Sequence, residues 1–348
     1  MKRIPSLDGF RTIAIILTLF CHSRMSKGFP ASLKDVARLS DVGVTVFFVI
    51  SGFLITTLLL AEDAKQGSIN LRNFYTRRIL RIFPVYFLFI AFIIFWGNIE
   101  KLNITHADLL YALTFTVNFN QNRNWFLGHF WSLGIEEQFY IFWPVILIVF
   151  RKRVKIILAA LIAYSCLVRV IAYKFPAYKL IILSPFFSYS DAIFVGVFGA
   201  IIYFENPEII KNKIFNSYCA QFLAVCLFCL FVYLKGFGKL AILSLPFTCL
   251  VVSSATLFLI FAYIKPSDSP FYKLLNNKVI VHIGILSYSI YIWQELFFVG
   301  ELNGLWRTFP FNIPVIYVVA LASYYLWEKP FLRLKNKFSP KKLQVQTP

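Results

Sequence analysis

Long apolar stretches, separated by short polar breaks, follow one another along the whole chain of 348 residues. A helix needs about 20 mainly apolar residues to cross the hydrocarbon core of a bilayer. The chain has about ten stretches of this kind, at residues 7–24, 42–61, 82–98, 130–150, 156–173, 190–204, 218–235, 241–264, 281–299 and 313–329. The pattern therefore predicts an all-α protein, a polytopic membrane helix bundle with about ten transmembrane helices.

The polar breaks differ in charge, and the difference predicts an orientation. Every second break is rich in Lys and Arg, at residues 2–3, 65–81, 151–155, 211–213, 265–278 and 329–342. The alternate breaks hold fewer, although the first of them contains Arg24, Lys27, Lys34 and Arg38. Because basic loops stay in the cytoplasm, we expect both termini there. We expect residues 1–334 to form the transmembrane domain and 335–348 a basic cytoplasmic tail, with no soluble domain appended.

Composition supports this interpretation and excludes others. Hydrophobic residues make up 59% of the chain and the mean hydropathy is +0.71, values that an ordinary soluble protein does not reach. A net charge of +19 is compatible with nucleic-acid binding, but the charges lie in short breaks between apolar stretches. We therefore expect a bilayer and no nucleic acid as partner. The spacing of His, Cys and carboxylate residues predicts no metal site.

The first apolar stretch, IPSLDGFRTIAIILTLFCHS, carries Asp8 and Arg11 near one end and His22 near the other. On a helix, the eleven residues from Arg11 to His22 correspond to about 16 Å of rise and about three turns, so both lie on nearly the same face. Ionisable residues inside membrane helices are costly and usually functional. We therefore consider His22 a candidate catalytic base; the alternative is a core histidine with one hydrogen bond.

A basic cluster precedes the third stretch, in NFYTRRILRIFPVYF. Arg78 and Arg81 share a helix face and Arg77 lies beside them. Such a cluster is typical of positive-inside anchoring to lipid headgroups. It also suits a phosphate clamp, because guanidinium groups bind phosphate through two hydrogen bonds. Both interpretations can hold together.

Two adjacent acids, Glu136 and Glu137, lie inside the fourth stretch, in WSLGIEEQFYIFWPV. They are candidate catalytic groups, and an ion pair with a neighbouring helix, for example with Arg11, is the structural alternative. In VISGFLITTLLL, Ser51 and Gly52 indicate a small-residue helix contact or a loop element. His106, His129 and His282, at loops or helix edges, are expected to be structural or interfacial. Further candidate site-lining residues are Asp8, Ser51, Trp131, Ser132, Gln138 and Tyr140.

Together with GVTVFFVISGFLITTLLL, SYSIYIWQ and YYLWEKPF, these segments resemble the bacterial acyltransferase 3 family of integral membrane acyltransferases. The resemblance runs in order from about Ile4 to Leu334. Arg11 and His22 match the R-x10-H element of the family, and Arg78 and Arg81 match its R-x-x-R element.

The resemblance implies transfer of an acyl group, most often acetyl, from acyl-CoA to a hydroxyl of a lipid-linked or cell-surface carbohydrate such as lipopolysaccharide. Acyl-CoA would be a co-substrate from the cytoplasm, with no bound cofactor. Arg77, Arg78 and Arg81 would hold the CoA phosphates. His22 would act near mid-membrane as base or as acyl carrier, oriented by Glu136, Glu137 or Arg11. The location would be the bacterial inner membrane, with an oligomer or polysaccharide-synthesis proteins as further partners.

Two positions depart from the family pattern and concern the acceptor side. Gln294 stands where many relatives carry histidine, and Tyr189 where relatives often place an arginine before the residue that matches Asp191. Two other function classes stay open on the residues alone. A transporter or flippase would use the same intramembrane charges to line a path, and a scaffold within a polysaccharide-synthesis complex would tolerate their loss.

Overall fold

The computed structural model describes residues 4–38, 42–299 and 304–338, and all regular elements within these ranges are helices. The α-helices are α1 (Pro5–Ser23), α2 (Val42–Gln66), α3 (Leu71–Glu100), α4 (His106–Leu113), α5 (Trp125–Gly128), α6 (Phe130–Val149), α7 (Val154–Lys174), α8 (Ser184–Glu205), α9 (Lys213–Asn216), α10 (Tyr218–Gly236), α11 (Ala241–Tyr263), α12 (Pro270–Leu275), α13 (Lys278–Trp293), α14 (Asn312–Ala322) and α15 (Lys329–Lys335). A π-helical segment, Ser323–Glu328, joins α14 to α15. The predicted all-α class is confirmed.

Eight helical segments of the described chain are long and apolar enough to cross a membrane. They are α2, α3, α5 with α6, α7, α8, α10, α11, and α13 with the turn that follows it. The multi-pass character is therefore confirmed. The predicted stretches 7–24 and 313–329 fall on α1 and on α14 with its π-helical extension, which are not among the eight. A total of ten and the cytoplasmic termini stay predictions. Lys2, Arg3 and residues 339–348 of the predicted tail lie outside the described residues.

Helices α2 and α8 pack backbone against backbone near the centre of the bundle. A Cβ atom at Gly52 of α2 would overlap the carbonyl oxygen of Ile193, and one at Gly196 of α8 would overlap the carbonyl oxygen of Val49. Small residues allow such close approach, which drives helix association in membranes. The expected small-residue contact at Gly52 is confirmed.

The segment between α3 and α6 is folded around one buried carboxylate. Asp108 accepts hydrogen bonds from the backbone N–H and hydroxyl of Thr105, from the amide of Asn120 and from the backbone N–H of Asn124. Burial alone would raise the pKa of Asp108, but these hydrogen bonds outweigh it and lower that pKa. The contacts fix Asn124, the residue immediately before α5, and therefore fix the start of α5 beside the bundle.

A buried ion pair ties α7, α8 and α11 together. Both terminal nitrogens of Arg169 donate to the carboxylate of Asp191, at 2.9 and 2.8 Å, and Asp191 has no exposed surface. The same guanidinium donates to the carbonyl oxygens of Pro246 in α11 and Ser188 in α8. Asp191 thus receives its arginine from α7, although Tyr189 occupies the position where relatives often carry one.

Removing one partner of this pair should destabilise the fold, because a charge would remain buried without compensation. We expect Arg169→Gln or Asp191→Asn to lower the free energy of unfolding by about 3–5 kcal/mol. Thermal unfolding of the purified protein in lipid nanodiscs measures this. Lys155→Gln is the matched control, since its pair with Glu205 also joins α7 to α8 but is half exposed, and it should cost less than about 1 kcal/mol. Equal losses in both variants would contradict the prediction.

Candidate active site

Helix α1 carries both ends of the candidate site. It is continuous from Pro5 to Ser23, so Arg11 and His22 are about 16 Å apart along its axis. The helix packs along α13, and Gly284 of α13 lies so close that a Cβ atom there would overlap the carbonyl oxygen of Asp8. The position of His22 relative to α13 is therefore fixed by backbone packing.

At one end of α1, His22 pairs with a carboxylate from the turn after α13. Its Nδ1 lies 2.9 Å from Oε1 of Glu295. The Trp125 ring lies 6.4 Å from the imidazole, between centroids, and its Nε1 donates to the backbone oxygen of Glu295. The Phe298 ring closes another side at 6.3 Å. With Nδ1 facing the carboxylate, Nε2 is the nitrogen that remains to take a proton from a ligand.

Buried polar atoms without a partner surround this pair. Gln294 has no exposed surface and its side chain lies against His22. His129 is buried within electrostatic interaction range of His22 and Glu295. Within the described ranges, the amide atoms of Gln294, both ring nitrogens of His129 and Oε2 of Glu295 have no hydrogen-bond partner. Because buried polar groups are normally satisfied, this cluster indicates a site for a hydroxyl-bearing ligand or water.

At the opposite end of α1, two of the basic residues are neutralised. Nη1 of Arg11 donates to Asp8 at 2.7 Å. Arg77 donates to the buried Glu62 at 2.7 Å and to the backbone oxygen of Phe338, which follows α15, at 2.9 Å. Arg77 thus links α3 to the end of α2 and to the turn after α15.

Arg78 and Arg81 differ, because neither forms an ion pair with a carboxylate of the described chain. The Arg78 guanidinium lies 5.7 Å from the ring centroid of Phe74 and 5.2 Å from that of Tyr140. Its Nε is buried without a hydrogen-bond partner. Stacking on aromatic rings holds the guanidinium in place while leaving its donors available. These two arginines are therefore suited to binding an anion.

Glu136 belongs to this arginine end. It accepts a hydrogen bond of 2.5 Å from the hydroxyl of Ser51, which in turn accepts one from Tyr140. Arg78, Arg11 and Arg81 are the cations in electrostatic range of Glu136. The structure thus brings the predicted site residues Arg11, Arg78, Arg81, Ser51, Glu136 and Tyr140 together.

Comparison with known proteins shows the family to which the chain belongs. A family model described as an acyltransferase domain matches residues 4–327. The chain belongs to this acyltransferase family. It is 29% identical over 327 residues to a Staphylococcus aureus (strain COL) protein provisionally named an O-acetyltransferase. The aligned region covers 84% of this chain and 50% of that protein. No solved structure matches the chain.

Two further relatives carry names that mention peptidoglycan. One, from Bacillus subtilis (strain 168), is provisionally named a peptidoglycan O-acetyltransferase and is 26% identical over 368 residues, 94% of this chain and 55% of that protein. The other, the peptidoglycan O-acetyltransferase OatA of Listeria monocytogenes, is 32% identical over 173 residues, 44% of this chain and 26% of that protein. The chain spans about half the length of the first two relatives.

The structure corrects the expected partner of His22. Neither Glu136, Glu137 nor Arg11 orients the imidazole; Glu295 does. Glu136 and Arg11 are engaged at the other end of the helix, and Glu137 is buried with Oε1 lacking a partner in the described part of the chain. The sequence predicted Glu136, Glu137 or Arg11 beside His22, whereas the carboxylate next to it belongs to Glu295. The sequence does not show which helix faces α1 at the depth of His22.

Other predicted site-lining residues have contacts of different kinds. Gln138 exchanges hydrogen bonds with Asn118 and donates to the Phe115 carbonyl, so it secures the segment before α5 and lies outside the arginine cluster. The Trp131 ring packs on Tyr189 at 4.7 Å. The Ser132 and Tyr291 hydroxyls are 2.6 Å apart, linking α6 to α13. Asp8 is the partner of Arg11.

Sequence reasoning missed Glu295 and underrated His129. Glu295 was detectable as an acid inside the apolar stretch 281–299, the same signal that singled out Glu136 and Glu137. His129 was expected to be structural or interfacial, but it is buried beside the His22–Glu295 pair. No pattern along the chain indicated that proximity, since α1, α6 and α13 are distant in sequence.

Proposed function

We propose that this protein is a membrane O-acyltransferase that moves an acyl group, most simply acetyl, from acyl-CoA to a hydroxyl of a cell-surface or lipid-linked carbohydrate. The observation that carries the proposal is the His22–Glu295 pair. It lies on a helix whose other end meets Arg78 and Arg81, which form no ion pair with the described residues. The relatives named as O-acetyltransferases, two of them for peptidoglycan, support an acetyl donor and a glycan acceptor. The proposed location is the bacterial inner membrane.

The donor would bind at the arginine end. Arg78 and Arg81 would hold phosphates of acyl-CoA from the cytoplasmic side, as guanidinium groups do with phosphate oxygens. The long pantetheine arm would then extend along α1 and carry the thioester over the distance of about 16 Å toward His22. Arg11, already paired with Asp8, would contribute positive potential to this entrance.

The acceptor hydroxyl would bind among the unpartnered polar atoms around His22. Nε2 of His22 takes the hydroxyl proton, and the oxygen attacks the thioester carbonyl. The carbon–sulfur bond breaks, and the CoA thiolate receives the proton from the imidazolium, so that an ester and free CoA are formed. Glu295 stabilises the imidazolium in between. In a variant of this scheme, His22 carries the acyl group covalently before the acceptor arrives.

Loss of the base should abolish transfer without abolishing folding. We expect His22→Ala to reduce kcat about 10²–10⁴-fold, and Glu295→Gln to reduce kcat with an unchanged KM for acetyl-CoA. The measurement is acceptor-dependent incorporation of label from radiolabelled acetyl-CoA into glycan, in membranes with matched protein levels. His106→Ala, at an exposed histidine, is the control. Transfer that survives in His22→Ala, or substrate flux without acylation, would refute the proposal.

Loss of the arginines should act on donor binding instead. We expect Arg78→Gln and Arg81→Gln each to raise the KM for acetyl-CoA about tenfold or more, the effect of one charge-assisted hydrogen bond. The KM for the acceptor should not change. Arg72→Gln provides the control, since Arg72 is exposed on the same helix. A rise in the donor KM of similar size in Arg72→Gln would show that general surface charge, not a site, attracts the donor.

A further inference from the structure

Lys335, the last residue of α15, is partly buried against α3. The charged groups within electrostatic range of its ammonium are Arg11 of α1, Arg77, Arg78 and Arg81 of α3, and Glu328 of the π-helical segment. A partly buried lysine close to four arginines is unusual, because like charges repel strongly where water is scarce.

The acids nearby compensate this charge only in part. Glu62 pairs with Arg77 and Asp8 with Arg11, while Glu328 accepts a hydrogen bond from Ser289 at 2.8 Å. Glu136 lies within electrostatic range of Arg78 and Arg81, but its carboxylate accepts its hydrogen bond from Ser51. Among the residues that the structure describes, none forms an ion pair with Arg78, Arg81 or Lys335. Burial, together with the facing arginines, lowers the pKa of Lys335 to about 7.

The chain beyond Lys335 is held in place. The backbone oxygen of Phe338 accepts a hydrogen bond of 2.9 Å from Arg77, so α15 and the turn after it are attached to α3 on both sides of the ammonium. Lys335 therefore does not escape its neighbours by a simple swing of the helix end.

We propose that Lys335, Arg78 and Arg81 form one site for a multivalent phosphate, and that Lys335 takes up a proton when this anion binds. The ligand class is a diphosphate or a phosphomonoester of a nucleotide. Identifying it with the phosphates of acyl-CoA rests on the function proposed above. Helix α15 is then part of the donor site, not only a connection to the C-terminal tail.

The direction of the pH dependence follows from the charges. In the free protein Lys335 loses its proton near pH 7, whereas a bound phosphate would raise the pKa again by attraction. Affinity is therefore full below pH 7 and falls as the pH rises above 7, by up to about tenfold per pH unit until the pKa of the complex is reached.

Isothermal titration calorimetry on the full chain in phosphatidylcholine nanodiscs tests this. The probes are CoA and inorganic pyrophosphate, each titrated at pH 6.5 and 8.5 in two buffers of different ionisation enthalpy, which gives the number of protons taken up. Relative to the Lys335→Gln variant, the wild type should take up more protons at pH 8.5 and bind about tenfold tighter at pH 6.5.

Two variants separate this role from a structural one. Lys335→Arg keeps a permanent charge and should bind both probes without the extra proton uptake. Lys337→Gln removes an exposed charge two residues further on and should behave as the wild type. Equal proton uptake in the wild type and Lys335→Gln with both probes would overturn the proposal. Uptake with pyrophosphate but no binding of CoA would support the anion site and refute the proposed donor.

Discussion

The fixed length of α1 is the constraint on which the candidate site depends. The helix is continuous from Pro5 to Ser23, with no break between its two polar ends. Arg11 and His22 are thereby held about 16 Å apart along one helix. The close approach of Gly284 to the Asp8 carbonyl fixes this helix against α13, which supplies the carboxylate for His22. A long, flexible donor is the kind of substrate that such a separated pair of sites accommodates.

Charge compensation distinguishes structural from functional ionisable groups in this bundle. Arg169 is satisfied on all sides, by Asp191 and backbone oxygens of α8 and α11. Pairs of this kind hold helices together, and breaking one leaves a buried charge. Arg78, Arg81 and Lys335 form no ion pair with any residue that the structure describes, and uncompensated charge of this kind is typical of functional sites. Around His22, the buried polar atoms that lack a partner within the described ranges indicate a site for a neutral, hydroxyl-bearing ligand in the same way.

The short motifs coincide with the geometry more closely at the arginine end than around His22. Arg78 and Arg81 match a motif, and neither forms an ion pair within the described ranges. The neighbours of His22 come from three segments that are distant in sequence, at Glu295, Trp125 and His129. Short motifs therefore carry little information about the surroundings of His22. Peptidoglycan in the names of two relatives indicates a class of acceptor that remains a proposal for this chain.

The membrane class, most helix positions and the candidate groups on single helices were predictable from the amino-acid pattern. Apolar length and the cost of buried charge are local properties, so Arg11, His22 and Glu136 were identifiable without a structure. Which of these groups meet follows from the packing of the helices. It paired His22 with Glu295, placed Glu136 among the arginines and brought Lys335 beside Arg78. Those contacts depend on the rotation and depth of each helix, which are set by close packing such as that of α1 on α13 rather than by hydrophobicity along the chain.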